Sequence, residues 1–166
     1  MPARTTVLAL ALASLGLAGC ASAPSGPCLG TGPIAVTIPY GRMEVMSWES
    51  DGSTELVRFQ FDPSISGTTT ATVEPAEPGP FIDVAAGVPI DPDGATLTSI
   101  RLDGVVSVGQ VDRLLAGEGD PSRIREIVPV QDAADLRVIV GTAAGQCLRL
   151  AADPSSARIS LLITGG

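Results

Sequence analysis

Residues 54–61, Thr54-Glu55-Leu56-Val57-Arg58-Phe59-Gln60-Phe61, carry the clearest structural signal in the chain. Apolar and polar side chains alternate along its second half, so Val57, Phe59 and Phe61 share one face. A period of two is typical of a strand with one buried face. The following Asp62-Pro63 ends the run, because proline cannot donate to a strand ladder. The stretch therefore predicts a half-buried β-strand.

Further strands are predicted on both sides of this stretch, separated by glycine, proline and aspartate turns. They cover residues 34–38, 42–48, 68–73, 81–84, 96–102, 105–108, 124–130, 136–140, 146–150 and 158–163. The Thr-rich strand 68–73 is expected at a sheet edge. Hairpin turns are expected at Asp51-Gly52 and Asp103-Gly104, and a hairpin loop is expected at 141–145.

One helical turn is predicted, over residues 110–116 with Gly117 behind it. About nine or ten short strands with frequent turns, and at most one short helix, predict an all-β domain over residues 34–166. The expected architecture is a small β-sandwich or a partly open barrel.

The N-terminus is typical of an export signal. Residues 1–19 contain Arg4, an apolar run and small residues, as in a signal peptide. Leu17-Ala18-Gly19-Cys20 resembles the lipobox of bacterial lipoproteins, which implies cleavage before Cys20 and lipid on its sulfur. The alternative is an ordinary signal peptide followed by a chance cysteine. The Ala-, Ser-, Pro- and Gly-rich residues 20–33 then form a lipidated tether.

Charge limits the partners of the mature chain. Removing residues 1–19 leaves nine arginines and eighteen acidic residues, a net charge of −9. Nucleic acid is a poor ligand for such a domain, because it requires a basic footprint. Anionic lipid alone would also hold the domain weakly, so the covalent lipid is expected to provide the anchor.

Two cysteines remain if Cys20 is lipidated. Outside the cytoplasm, Cys28 and Cys147 are expected to form a disulfide that joins the start of the domain to a strand near its end. Two free thiols are the alternative.

The residue types present exclude several kinds of active site. The chain has no histidine and no lysine, which removes Ser-His-Asp, Cys-His and Schiff-base chemistry. Carboxylate chemistry remains, with Asp83, Asp91 and Asp93 as candidates, although most acids lie in turns, where aspartate is expected for backbone reasons. Asp91-Pro92-Asp93-Gly94 resembles only the start of a calcium loop. We therefore predict no enzyme activity, metal or cofactor.

Tyr40, Arg42 and Trp48 group two aromatic residues with an arginine within nine positions of the sequence. Aromatic faces suit sugar rings, so these residues are the candidate ligand surface. The alternative is that they are ordinary packing residues, with Trp48 needed for the core.

Short strand motifs resemble the AMIN-like domains of actinobacterial lipoproteins. The family has an Arg-aliphatic-x-Phe strand, then aliphatic-Arg-Glu-aliphatic, a further aliphatic strand, and a final Pro-Arg-aliphatic run. Matching segments here are 56–62, 124–127 and 136–140, while 158–163 lacks the proline and contains Ser160. The resemblance implies a small β-sandwich that targets proteins to the cell envelope, with peptidoglycan as the suspected ligand and no catalytic residues.

Two functions follow as hypotheses. The first is a membrane-anchored binding or targeting module of the cell envelope. The second is an accessory protein-interaction subunit without glycan binding, for which the expected edge strand 68–73 could accept a partner strand. In either case the domain lies on the extracytoplasmic side, at the outer membrane of a two-membrane cell or on the plasma membrane of a one-membrane cell.

Overall fold

The computed structural model describes residues 28–30, 32–83, 87–116, 122–132 and 135–165 of the chain. These ranges contain thirteen β-strands. The strands are β1 Ile34–Tyr40, β2 Arg42–Ser50, β3 Thr54–Phe61, β4 Ser66–Pro75, β5 Phe81–Ile82, β6 Pro89–Ile90, β7 Thr96–Asp103, β8 Ser107–Gln110, β9 Leu114–Leu115, β10 Ile124–Asp132, β11 Asp135–Thr142, β12 Gln146–Asp153 and β13 Arg158–Gly165. The all-β prediction is confirmed. The strands that no predicted strand range covers are the two-residue strands β6 and β9.

Two large sheets pack face to face as a sandwich. A six-stranded sheet has the order β1-β4-β7-β11-β10-β9, and a five-stranded sheet has the order β12-β13-β3-β2-β8. Neighbouring strands are antiparallel except for β2 and β8, which run parallel. The strand β3, built from residues 54–61, lies at the centre of the five-stranded sheet.

The main core lies between the two sheets. Val57, Phe59 and Phe61 are fully buried there, as the alternation along β3 predicts. They meet Ile100 and Leu102 of β7 within one continuous cluster of buried side chains. Burying one such large side chain contributes about 1.5–3 kcal/mol, so this layer supplies most of the driving force for folding.

A smaller core covers part of the outer face of the six-stranded sheet. Leu97, Val128, Val130 and Ile139 are buried there and pack against partly buried side chains that include Phe81 and Ile90 of the β5–β6 hairpin. The centre of this sheet is therefore buried on both faces, which explains the continuous apolar run of β10.

The Thr-rich strand is not at a sheet edge. It forms β4, which pairs with β1 on one side and with β7 on the other. Thr69, Ala71 and Val73 point into the core, while the intervening threonines face outward. β-branched residues suit any pleated, half-buried position, so threonine content did not distinguish an edge strand from an inner one.

The prediction of a helical turn over residues 110–116 is wrong. Strand β8 ends at Gln110, and Leu114 and Leu115 of β9 pair with Ile127 and Glu126 of β10. The spacing of Val111, Leu114 and Leu115 is typical of one face of a helix. In the structure, however, Leu114 and Leu115 pair with β10 as a short strand. Within the described ranges the helical structure is a 3-10 turn at Pro154–Ser156, and no helix there is long and apolar enough to cross a bilayer.

Only one of the two Asp-Gly turns makes a hairpin. Asp51-Gly52 joins the antiparallel neighbours β2 and β3, as expected. After Asp103-Gly104 the chain leaves the six-stranded sheet, and β8 joins β2 in the other sheet. The loop 141–145 also connects the two sheets, because β11 and β12 belong to different ones. These last two hairpin predictions are therefore wrong.

Candidate functional site

A disulfide fastens the start of the domain to the edge strand β12. The Sγ atoms of Cys28 and Cys147 lie 1.97 Å apart and their Cα atoms 5.1 Å apart, which confirms the predicted pairing. Next to it, the amide of Leu29 donates to the carbonyl of Leu148 at 2.7 Å. Anything attached to the chain before residue 28 is thus held beside β12.

The predicted lipidation site lies outside the described residues. This is true of Cys20, of the signal peptide 1–19 and of residues 21–27. The signal peptide and the lipid therefore stay predictions from sequence.

The predicted ligand residues Tyr40, Arg42 and Trp48 do not form one surface. Tyr40 ends a strand of the six-stranded sheet, and its hydroxyl donates to the carbonyl of Pro154 at 2.8 Å. Arg42 is exposed on β2, with its guanidinium 3.9 Å from the carboxylate of Asp62. Trp48 lies six residues further along the same strand, about 20 Å away at the rise of a strand.

A bulge in β2 also turns Trp48 inward. The register with β3 shifts between Met43 and Val45, so that Met46 and Trp48 face the core. The indole is partly buried against the core cluster. Trp48 and Arg42 therefore lie on opposite faces of the sheet, and Tyr40 and Trp48 pack against the core.

The acids considered for catalysis occupy separate positions. Asp83 is buried and bridges to Val130 of β10, whereas Asp91 and Asp93 are exposed in the loop before β7. The amide of Asp93 donates to the carboxylate of Glu126 at 2.8 Å. No group of three or more potential metal ligands occurs within the described part of the chain.

Sheet register instead brings together basic side chains on the outer face of the five-stranded sheet. Across β12, β13, β3 and β2 one row is Arg149, Leu162, Leu56 and Glu49. The next row is Ala151, Ser160, Arg58 and Ser47. In the third row, Asp153 of β12 pairs with Arg158 of β13. We call the first two rows, together with Asp153 and Arg158, the arginine face.

The cations of the arginine face differ in their partners. Arg58 forms an ion pair with Glu49, and Arg158 lies 3.6 Å from Asp153. The side chain of Arg149 makes no hydrogen bond or ion pair with any described residue. Its Nε is buried without a partner, as is the Nε of Arg58. An unsatisfied buried donor costs about 1–3 kcal/mol. The planar guanidinium suits two-pronged binding of a carboxylate or phosphate, so Arg149 is the group on this face best suited to take an external anion.

Two leucines lie between Arg149 and Glu49 in the first row. Leu162 is 9% exposed, and Leu56 beside it is half-buried. A shallow cleft of about 160 Å³ opens next to them and is lined by Glu49, Ser50, Asp51, Thr54, Leu56 and Arg58. Small-molecule sites usually occupy roughly 300–1,000 Å³. The arginine face therefore suits an extended surface better than an enclosed ligand.

Two buried carboxylates connect distant parts of the chain. Glu55 is 1% exposed, and its carboxylate accepts from the amides of Arg123 and Ile124 at the start of β10. Glu126, also 1% exposed, pairs with Arg113 and accepts from the amide of Asp93. Sequence reasoning missed both. For Glu55 a signal was present, since it alternates onto the same face of β3 as Val57 and Phe59.

Three turn carboxylates have lowered pKa values. The hydroxyls of Ser155 and then Ser156 lower the pKa of Asp153 from 3.8 to about 2. The backbone amide of Thr54 is the largest cause of the lowered pKa of Asp51, and the hydroxyl of Ser64 has that role for Asp62. These acids cap turns as anions, which is the backbone role expected of turn aspartates.

No protein-family model matches this chain, and no curated protein or solved structure is significantly similar to it. The likeness to AMIN-like domains therefore rests on the strand motifs alone.

Proposed function

We propose that this chain is an exported, lipid-anchored lipoprotein whose β-sandwich acts as a non-enzymatic binding or targeting module of the bacterial cell envelope, with peptidoglycan as the candidate ligand. The observation that carries the proposal is the Cys28–Cys147 disulfide. Disulfides persist in oxidising, extracytoplasmic compartments. The lipobox-like Leu17-Ala18-Gly19-Cys20 provides the route to that compartment.

The chemistry available supports binding rather than catalysis. Histidine and lysine are absent from the sequence. Glu55 and Glu126 engage backbone amides, and Asp51, Asp62 and Asp153 cap turns. The acids with these structural roles are not placed as an acid–base pair across a cleft, as glycoside hydrolysis requires.

The arginine face is the proposed binding surface. The side chain of Arg149 has no hydrogen-bond or ion-pair partner among the described residues, and Leu162 and the half-buried Leu56 lie in the same row. Peptidoglycan carries carboxylates on a flexible polymer, which suits an open face. The domain would lie outside the cytoplasm, at the outer membrane of a two-membrane cell or on the plasma membrane of a one-membrane cell.

The anchor is tested by replacing Cys20. Cys20→Ala should move the protein from the membrane fraction to the soluble extracytoplasmic fraction, and intact-mass analysis of the unmodified chain should show lipid on Cys20. An unprocessed, unacylated chain would contradict the proposal.

Ligand binding is tested by co-sedimentation with purified cell-wall sacculi. The soluble Cys20→Ser form should pellet with sacculi, and Arg149→Ala should reduce the bound fraction about tenfold, as expected for a charged hydrogen bond. Arg101→Ala is the matched control, because Arg101 pairs with Asp103 on the other sheet. Binding no greater than that of an unrelated acidic protein would argue against peptidoglycan.

A second candidate function is an accessory subunit that holds a protein partner. It is favoured by β8, the outermost strand of the five-stranded sheet. Near this strand Val106 is 72% and Val108 44% exposed. Such an edge can accept a strand from a partner. Crosslinking in cells should then recover one abundant protein, and Val108→Lys should abolish the crosslink while Arg149→Ala leaves it intact.

A further inference from the structure

We propose that the arginine face binds the peptide part of peptidoglycan rather than its sugars, with a free carboxylate of the ligand on Arg149 and a free amino group in the cleft beside Glu49. This inference rests on the proposed function and names the portion of the polymer that the same face would recognise. It is carried by two charges of opposite sign at the ends of one row of side chains.

The first row of the arginine face has a cation at one end and an anion at the other. Arg149 lies on β12 and Glu49 on β2, with Leu162 and Leu56 between them. Neighbouring strands are about 4.8 Å apart, so three steps separate the two end positions by roughly 14 Å. A ligand that lies across the strands therefore meets a positive group, an aliphatic stretch and a negative group, in that order.

The positive end is suited to a carboxylate. The side chain of Arg149 is partly exposed and makes no hydrogen bond or ion pair with any described residue. Its Nε is buried, so a ligand would bind at the terminal nitrogens of the guanidinium. Their N–H groups can donate in pairs to the two oxygens of one carboxylate.

The negative end is suited to an amino group. The cleft of about 160 Å³ at this end is lined by the oxygen-bearing side chains of Glu49, Ser50, Asp51 and Thr54, together with Leu56 and Arg58. The hydrogen bonds that the Asp51 carboxylate accepts within the described residues all fall on Oδ1, which leaves Oδ2 as an acceptor. The side chain of Glu49 is 53% exposed, although it also pairs with Arg58. An ammonium group has three donors and no acceptor, and it is small enough for a cleft of this size.

The peptides of peptidoglycan offer these groups in this arrangement. An uncrosslinked peptide that ends in a diamino acid, D-Ala and D-Ala has a terminal carboxylate, two methyl side chains and a free side-chain amine. Two extended residues span about 7 Å, and the bonds of a lysine side chain, each about 1.5 Å long, provide most of the remaining distance. The methyl groups would then lie over Leu162 and Leu56.

The same chemistry distinguishes the parts of the polymer. N-acetylated sugars carry no amino group for the cleft. A crosslink between peptides converts the side-chain amine into an amide, which removes its positive charge. The arginine face would therefore prefer regions of the wall whose peptides are not crosslinked.

Competition with soluble probes tests this preference. The complete lipoprotein, purified in mild detergent, is incubated with sacculi and increasing concentrations of Nα-acetyl-Lys-D-Ala-D-Ala, and the pelleted fraction is measured. The probe should release the protein from the sacculi. The C-terminal amide of the probe and its Nε-acetyl form should each require about tenfold higher concentrations, as expected when one charged hydrogen bond is lost.

Two substitutions assign each charge of the probe to one end of the row. Arg149→Ala should weaken binding of the probe about tenfold and remove the difference between its acid and amide forms. Glu49→Gln should preserve that difference and reduce the effect of Nε-acetylation. Arg101→Ala is the matched control on the other sheet, where Arg101 pairs with Asp103, and it should change neither ratio. Each variant should keep the urea midpoint of the parent protein. Ratios that are the same in all four proteins would overturn the inference.

The remaining outcomes separate this inference from the proposed function. Failure of the protein to pellet with sacculi would contradict peptidoglycan binding itself. Pelleting that the probe does not reverse, or that its amide and acetyl forms reverse equally well, would contradict only the assignment to the peptide. Release by an N-acetylglucosamine oligosaccharide in place of the peptide would identify the sugars as the part that is recognised and overturn the inference.

Discussion

Glu55 shows how one residue ties two sheets together. It belongs to β3 of the five-stranded sheet, yet its carboxylate accepts from the amides of Arg123 and Ile124, where β10 of the six-stranded sheet begins. The alternation of β3 predicts that position 55 faces inward. The sequence could not predict its partners, because they lie 68 and 69 residues away.

Glu55→Gln should destabilise the domain. An amide side chain has one acceptor oxygen, and its NH₂ would face an amide donor, so one buried backbone N–H loses its partner. We expect a loss of about 2–3 kcal/mol in the free energy of unfolding, measured by urea denaturation. Glu49→Gln, on an exposed side chain, should change stability by less than about 0.5 kcal/mol. Equal effects of the two substitutions would contradict this role of Glu55.

Asp153 should titrate near pH 2. The hydroxyls of Ser155 and Ser156 lower its pKa from 3.8 to about 2. Because the folded pKa is below the unfolded value, the contribution of this turn to stability is fully present above pH 3.8 and is lost as pH falls toward 2. Carbon-detected NMR titration measures the pKa, and the Ser155→Ala/Ser156→Ala double variant should return it toward the ordinary value. An unchanged pKa in that variant would contradict the cause.

Two identical dipeptides show the limit of local signals at the level of elements. Gly52 and Gly104 both follow an aspartate and have nearly the same positive φ, 85° and 84°. The dipeptide therefore predicts the backbone conformation correctly in both places. It does not determine the next pairing, because Asp51-Gly52 closes a hairpin and Asp103-Gly104 sends the chain to the other sheet. Which strand comes to pair with which depends on how the side chains of all the strands pack together in the core.

Gly104→Ala should cost more stability than Gly52→Ala. A Cβ at 104 would lie 2.3 Å from the carbonyl oxygen of Thr68, whereas one at 52 would meet nothing within 4 Å. Both variants carry the strain of a positive φ, about 1–2 kcal/mol. Gly104→Ala should lose about 1–3 kcal/mol more through overpacking, as a difference in urea midpoints shows. Similar losses in both variants would refute the close approach to Thr68.

At the scale of the whole molecule, the sequence predicts the disulfide better than it predicts which side chains meet on the surface. An even number of cysteines after export is enough to predict Cys28–Cys147. The arginine face was not predictable, because Arg58, Arg149 and Arg158 lie on three strands that only the order β12-β13-β3 places side by side. The proposed aromatic cluster failed to assemble for the same reason, since Tyr40 and Trp48 lie in different sheets.

Removing the disulfide should weaken the entire domain. The bridge closes a segment with a sequence separation of 119 residues, and the loop-entropy model gives at most about 5 kcal/mol for such a loop. Cys28→Ser/Cys147→Ser should lower the free energy of unfolding toward that limit, with the urea dependence read by fluorescence of Trp48. A stability equal to that of the parent chain would show that the bridge does not constrain the unfolded state.

The bridge also has a mechanical consequence. A pull applied through the tether passes from Cys28 directly into Cys147, so the polypeptide between them is outside the load path. The pull then enters β12 at Cys147, which pairs with Thr164 at one end of the ladder between β12 and β13. Residues 29–146 form a closed loop, so such a pull cannot draw them out unless the bridge is first reduced.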